Sequence, residues 1–89
     1  MKKIALKKGD IVEVDWVDSA SIHGWADPDS TDDFSLSTMA CKSVGYVFKN
    51  TADRLVINQA VDKATGNTLA TSVIPAIAIT NIRKIGVSK

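Results

Sequence analysis

One stretch limits the folds open to this chain more than any other. Residues 9–18 read Gly9-Asp10-Ile11-Val12-Glu13-Val14-Asp15-Trp16-Val17-Asp18, a glycine-aspartate turn feeding a run in which Val12, Val14 and Trp16 share one side while Glu13 and Asp15 take the other. Successive side chains of a strand point to opposite faces, so this alternation predicts a half-buried β-strand with Val12, Val14 and Trp16 turned inward. The rest of the chain offers further short strands to pair around it.

Residues 19–37 break the pattern. Ser, Asp, Gly and Pro dominate, with an acidic cluster at Asp27, Asp29, Asp32 and Asp33, and the expected structure is a long loop with at most a short helical turn. Loops of that length in compact domains often carry function. Trp25 sits in it, either as a lid on the core or as an exposed contact residue.

Over residues 38–49 alternation returns, with Val44, Tyr46 and Phe48 on one side and Ser43, Gly45 and Val47 on the other. Phe48 is expected to face inward with Val12 and Val14, and Gly45 marks a bend or bulge. Asn50, Thr51, Ala52 and Asp53 supply turn chemistry before a strand over 54–61 carrying Leu55, Ile57 and Val61. Gly66 and Asn67 tolerate positive φ in the next turn, and residues 68–74 form a fourth strand. Pro75 cannot donate to a ladder, so that strand should stop at Ile74 and a 3₁₀ turn should occupy residues 75–77. Ile79, Ile82 and Ile85 are spaced for a helix, yet their β-branching and the brevity of the segment favour a closing strand.

An 89-residue chain allows one domain with a small core. Residues 1–8, with Lys2, Lys3, Lys7 and Lys8, are expected to form a partly ordered basic leader, and residues 9–86 a single β-barrel domain. Ile4, Ala5 and Leu6 are too few for a signal-peptide apolar region, and no apolar run approaches the ~20 residues of a membrane span. The lone Cys41, expected to be a buried thiol, excludes an intrachain disulfide and fits a reducing compartment.

The expected fold class is therefore all-β: a small five-stranded SH3-like or Sm-like barrel with a long loop after the first strand and a short 3₁₀ turn before the last. Pairing of the last strand with the first would remove sheet edges. An oligonucleotide-binding barrel is the main competitor, but it would bring longer strands and a helix between the third and fourth.

The residues Gly9-Asp10 through Trp16-Val17-Asp18-Ser19, Trp25, Ser43-Val44-Gly45-Tyr46, Leu55, and Ile74-Pro75 with Ile79 together resemble a group of small uncharacterised proteins encoded by tailed phages and prophages. The resemblance spans most of the chain after the leader. It implies origin and architecture, with a location in the bacterial host cytoplasm or on the virion, and it transfers no catalytic residue.

No constellation of reactive groups stands out. Asp27, Asp29, Thr31 and Asp33 fall at the odd spacing of a calcium-binding EF-hand loop, but Asp32 stands where that loop needs glycine and Thr38 where it needs a bidentate glutamate. His23 is the only histidine and finds no zinc partners, and no signature surrounds Cys41 to make it a nucleophile. The five glycines are dispersed, so there is no phosphate-binding loop. The chain is expected to be no enzyme and to use no cofactor, metal or small-molecule substrate.

Two functions remain. The first is a phage accessory domain acting by protein contact or self-association through Trp25, His23, Asp27, Asp29, Asp32 and Asp33. The alternative is weak nucleic-acid binding through Lys2, Lys3, Lys7, Lys8, Arg83 and Lys84, with aromatics as a stacking platform. A net charge of +1 leaves little electrostatic footprint for the second.

Overall fold

The computed structural model describes residues 5–18, 24–35 and 39–87. Its elements are β1 (Ile11–Asp18), α1 (Pro28–Ser35), β2 (Met39–Asn50), β3 (Arg54–Val61), β4 (Thr68–Pro75), a 3₁₀ turn (Ala76–Ala78) and β5 (Ile79–Gly86). The five strands form one open antiparallel sheet in the order β4-β3-β2-β1-β5. The architecture is thus all-β, with α1 as its one α-helix among the described residues.

β1 lies between β2 and β5, pairing Val12 with Gly45 and Lys84, and Val14 with Ser43 and Ile82. Its alternation is realised: Val12 and Val14 are fully buried. Val47, Leu55, Ile57, Ile74 and Ile79 complete the core, and Leu6, Trp16 and Ile82 pack against it. Trp16 is half-buried at the edge of this cluster, and its indole Nε1 donates to Ser43 Oγ at 3.0 Å. The segment 79–86 is a strand paired with β1, as its β-branched residues favoured.

In β2 Phe48 does not take the inward place expected of it. Val47 is buried, whereas Val44 and Phe48 are exposed and Tyr46 is half-buried. Register decides this: with Val12 opposite Gly45 and Val14 opposite Ser43, the odd-numbered residues of β2 share the face of the core valines. Hydrophobicity could not, because apolar residues stand on both sides of the strand. A bulge does occur in β2, but its register shift lies between Val47 and Lys49 rather than at Gly45. Gly45 serves close approach instead, since a Cβ there would lie 2.8 Å from the backbone oxygen of Asn58.

The sheet divides at that contact. β2 and β3 pair from Asn50 and Leu55 up to Tyr46 and Asn58, after which β2 continues with β1 and β3 continues with β4. Every residue from Gln59 to Val73 is exposed, including Val61, the last apolar residue of the β3 alternation. The β3–β4 hairpin therefore projects as an arm. Its Asp62–Asn67 turn is closed by Gly66 N–H to Asp62 O at 2.7 Å and Asp62 N–H to Asn67 O at 2.8 Å, with Gly66 at φ 79°. The radius of gyration is 16.3 Å, against roughly 12 Å for a compact chain of this length.

Pro75 remains in β4, paired with Arg54, and the 3₁₀ turn begins one residue later than expected. β4 is an edge strand, where a missing donor is tolerated. The turn is fastened by Ala76 N–H donating to Asp53 O at 2.9 Å. Pairing of β5 with β1 leaves β4 and β5 as the two edges of the hydrogen-bonded order.

Candidate interaction surface

The acidic stretch contains the two-turn helix α1. Asp27 stands just before it and accepts from Ser30 N–H at 2.8 Å through Oδ1, an N-cap arrangement that leaves Pro28 at the first helical position. That Ser30 N–H, assisted by the Ser30 hydroxyl, holds the Asp27 carboxyl below its ordinary pKa. Helical spacing puts Asp29 and Asp33 on one face of α1 and turns Thr31 away from them, so the calcium-loop pattern does not converge. Among the described residues no group of three or more His, Cys, Asp or Glu side chains could hold a metal ion.

Trp25 is bare to solvent at 105% relative exposure, and Asp27, Asp29, Asp32 and Asp33 are exposed as well. The indole is therefore not a lid on its own core. His23 lies outside the described residues. Cys41 is half-buried rather than buried, with Sγ 3.4 Å from Met39 O.

The basic residues meet only in part. Lys84 Nζ lies 3.5 Å from Asp10 Oδ2, which also accepts from Lys7 N–H at 2.9 Å, so the last strand and the end of the leader do converge on Asp10. Asp10 is buried, and the Lys7 backbone N–H, helped by the Lys84 charge, lowers its pKa against the opposing effect of burial. Arg83 points to the other face, where it joins Glu13 and Asp15; Lys42 adds a second cation, 3.4 Å from Glu13 and 3.6 Å from Asp15. Arg83 and Lys84 are thus already neutralised, and Lys2 and Lys3 lie outside the described residues.

The main concavity lies where the arm leaves the sheet. A cleft of about 420 Å³ is lined by Lys8, Tyr46, Phe48, Asn58, Val61 and Lys63 among others. Lys8 Nζ stands 4.6 Å from the centroid of the Phe48 ring, a cation-π contact at the cleft wall. Asn58 is buried and donates through Nδ2 to Thr71 Oγ1 at 2.8 Å, which ties the arm's root. A smaller cleft of about 290 Å³ includes Ser43, Ile57, Ala70 and Ser72. Ala70 has φ 54°, in the left-handed region that disfavours any residue with a Cβ.

Phe48, Val61 and Lys63 are surface residues that sequence reasoning missed. Phe48 is the one expected to face inward, and the hint against this is that apolar side chains occupy both parities of β2; Val61 is read only as part of a strand. Lys63 carried no signal. No helix among the described residues is long and apolar enough to cross a membrane. No family model, curated protein or solved structure matches the chain.

Proposed function

We propose that this chain is a non-enzymatic accessory domain of a tailed phage or prophage, acting by protein contact through self-association or docking on a phage or host protein. In this reading it works in the host cytoplasm or on the virion. Its sheet is a splayed SH3-like or Sm-like barrel, a view supported by the strand order, the β1–β5 pairing and the 3₁₀ turn before β5.

The observation that carries the reading is the β4 edge. Residues 68–73, Thr-Leu-Ala-Thr-Ser-Val, are uncharged and exposed throughout, and Leu69 and Val73 present apolar side chains. Edge strands that must stay alone usually carry charges, prolines or bulges in their span. At the opposite edge β5 carries Arg83 and Lys84. An edge without charge, broken only at Ala70 and closed by Pro75, suits strand addition, in which backbone hydrogen bonds supply affinity.

Sedimentation velocity over a concentration series, together with capture of partners from prophage-induced bacteria, tests this. Wild-type protein should associate with itself or retain a partner, and Val73→Lys should weaken the contact without altering the circular dichroism spectrum. A strictly monomeric protein that recovers no partner overturns the reading.

The rival is single-stranded nucleic-acid binding, favoured by one observation: Lys8, Lys63, Tyr46 and Phe48 line the same cleft. Against it stand the neutralised Arg83 and Lys84. Labelled oligonucleotides titrated across a salt series distinguish the two, because phosphate contacts strengthen steeply as salt falls.

A further inference from the structure

We infer that the cleft at the root of the arm receives Trp25 and the acidic segment behind it from a second copy of this chain. The inference rests on the self-association reading and gives it a seat and a direction.

Two features of the surface stand out. Trp25 is fully exposed and is followed by the exposed Asp29 and Asp33. The cleft offers Tyr46, Phe48 and Val61 to an apolar ring, with Lys8 and Lys63 beside them. Volume and chemistry match: sites for ring-sized groups fall at roughly 300–1,000 Å³, and exposed aromatic anchors with fitting pockets dominate contact surfaces. The exposed amide of Gln59 at the cleft supplies an acceptor suited to an indole N–H. Charge is complementary, the exposed Asp29 and Asp33 on one face of α1 being set against two lysines. Asp62, adjacent to Lys63, stays charged, because Ala64 N–H within its own turn favours the ionised carboxylate, but it is not part of the cleft lining.

The occupant comes from another molecule. The acidic segment follows Asp18, whose partner Met39 ends one side of the β1–β2 ladder, whereas Lys8 and Phe48 lie beyond the Ile11–Tyr46 pair at its other end. The ladder spans about 23 Å at ~3.3 Å per residue. Trp25 follows Asp18 by seven residues, a reach of at most about 25 Å if fully extended, so self-docking would leave no slack. Donor and receiver at opposite ends make the contact heterologous, and repetition of it gives a ring or a filament.

Two surface variants decide the matter: Trp25→Ala, which loses the anchor, and the double variant Lys8→Glu/Lys63→Glu, which inverts the seat. Wild-type protein should sediment as a concentration-dependent oligomer that weakens with added salt. Each variant alone should associate about tenfold or more weakly than wild type while keeping the wild-type circular dichroism spectrum. An equimolar mixture should give heterodimers and nothing larger, since it holds one intact anchor and one intact seat. If wild type associates and Trp25→Ala associates equally well, or if the mixture stays monomeric, the proposed seat is overturned while self-association stands. A wild-type monomer overturns both, and so does a monomer whose cleft binds a single-stranded oligonucleotide.

Discussion

β3 and β4 each run through two different surroundings, and the contrast is instructive. Between Arg54 and Asn58 the strand β3 lies against β2 and buries Leu55, Ile57 and Asn58; from Gln59 to Val61 the same strand, still paired with β4, buries nothing. β4 repeats the division, with Ile74 buried at the root and Leu69 exposed on the arm. Pairing and alternation are similar in both halves. What differs is the presence of an opposing layer, so hydrogen bonding gives the arm its shape and apolar burial gives the root its stability.

Truncation should expose this division most strongly. Leu55→Ala is expected to destabilise the protein by about 2–5 kcal/mol, whereas Leu69→Ala should change stability by no more than about 0.5 kcal/mol, both read from urea unfolding midpoints. Equal shifts would break the comparison. Gly45→Ala attacks the boundary itself: with its Cβ 2.8 Å from Asn58 O, the backbones of β2 and β3 must part. It should cost about 1–3 kcal/mol by the same measurement.

A smaller effect of opposite sign is expected on the arm. Ala70→Gly removes the Cβ from a left-handed residue and should stabilise the protein by about 0.5–1 kcal/mol. A loss would mean that the strain at Ala70 is absent. The finest test is of pH at the root. Because the folded state depresses the Asp10 pKa, its contribution is present above the unfolded value near 3.9 and disappears as pH falls through the folded value. Asp10→Asn should therefore show a shallower loss of stability between pH 5 and pH 2, read as unfolding midpoints across roughly that window.

Much of the root was legible in the sequence. Val12 and Val14 announced their face because acids stood between them, and the β-branched residues after Pro75 marked a strand. The side of β2 was not legible, since Val44, Tyr46 and Phe48 compete with Val47 and only register with β1 chooses between them. Nor was the arm, because alternation at Leu55, Ile57 and Val61 records where side chains point and not what lies opposite. The candidate site divides similarly. Trp25 was singled out in advance, with its burial left open, but the cleft combines Lys8, Phe48 and Lys63 from three separate segments whose meeting depends on how the sheet bends.

The turn at Asp62–Asn67 takes its hydrogen bonds locally, and none of the strand residues behind it belongs to the buried core. Paired insertions or deletions beside this turn would preserve which face each residue occupies, so arm length can drift without a penalty to the root. Reach and foldedness are thereby separately adjustable, and a lineage could fit the same scaffold to neighbours of different spacing by adding or trimming one pair at a time.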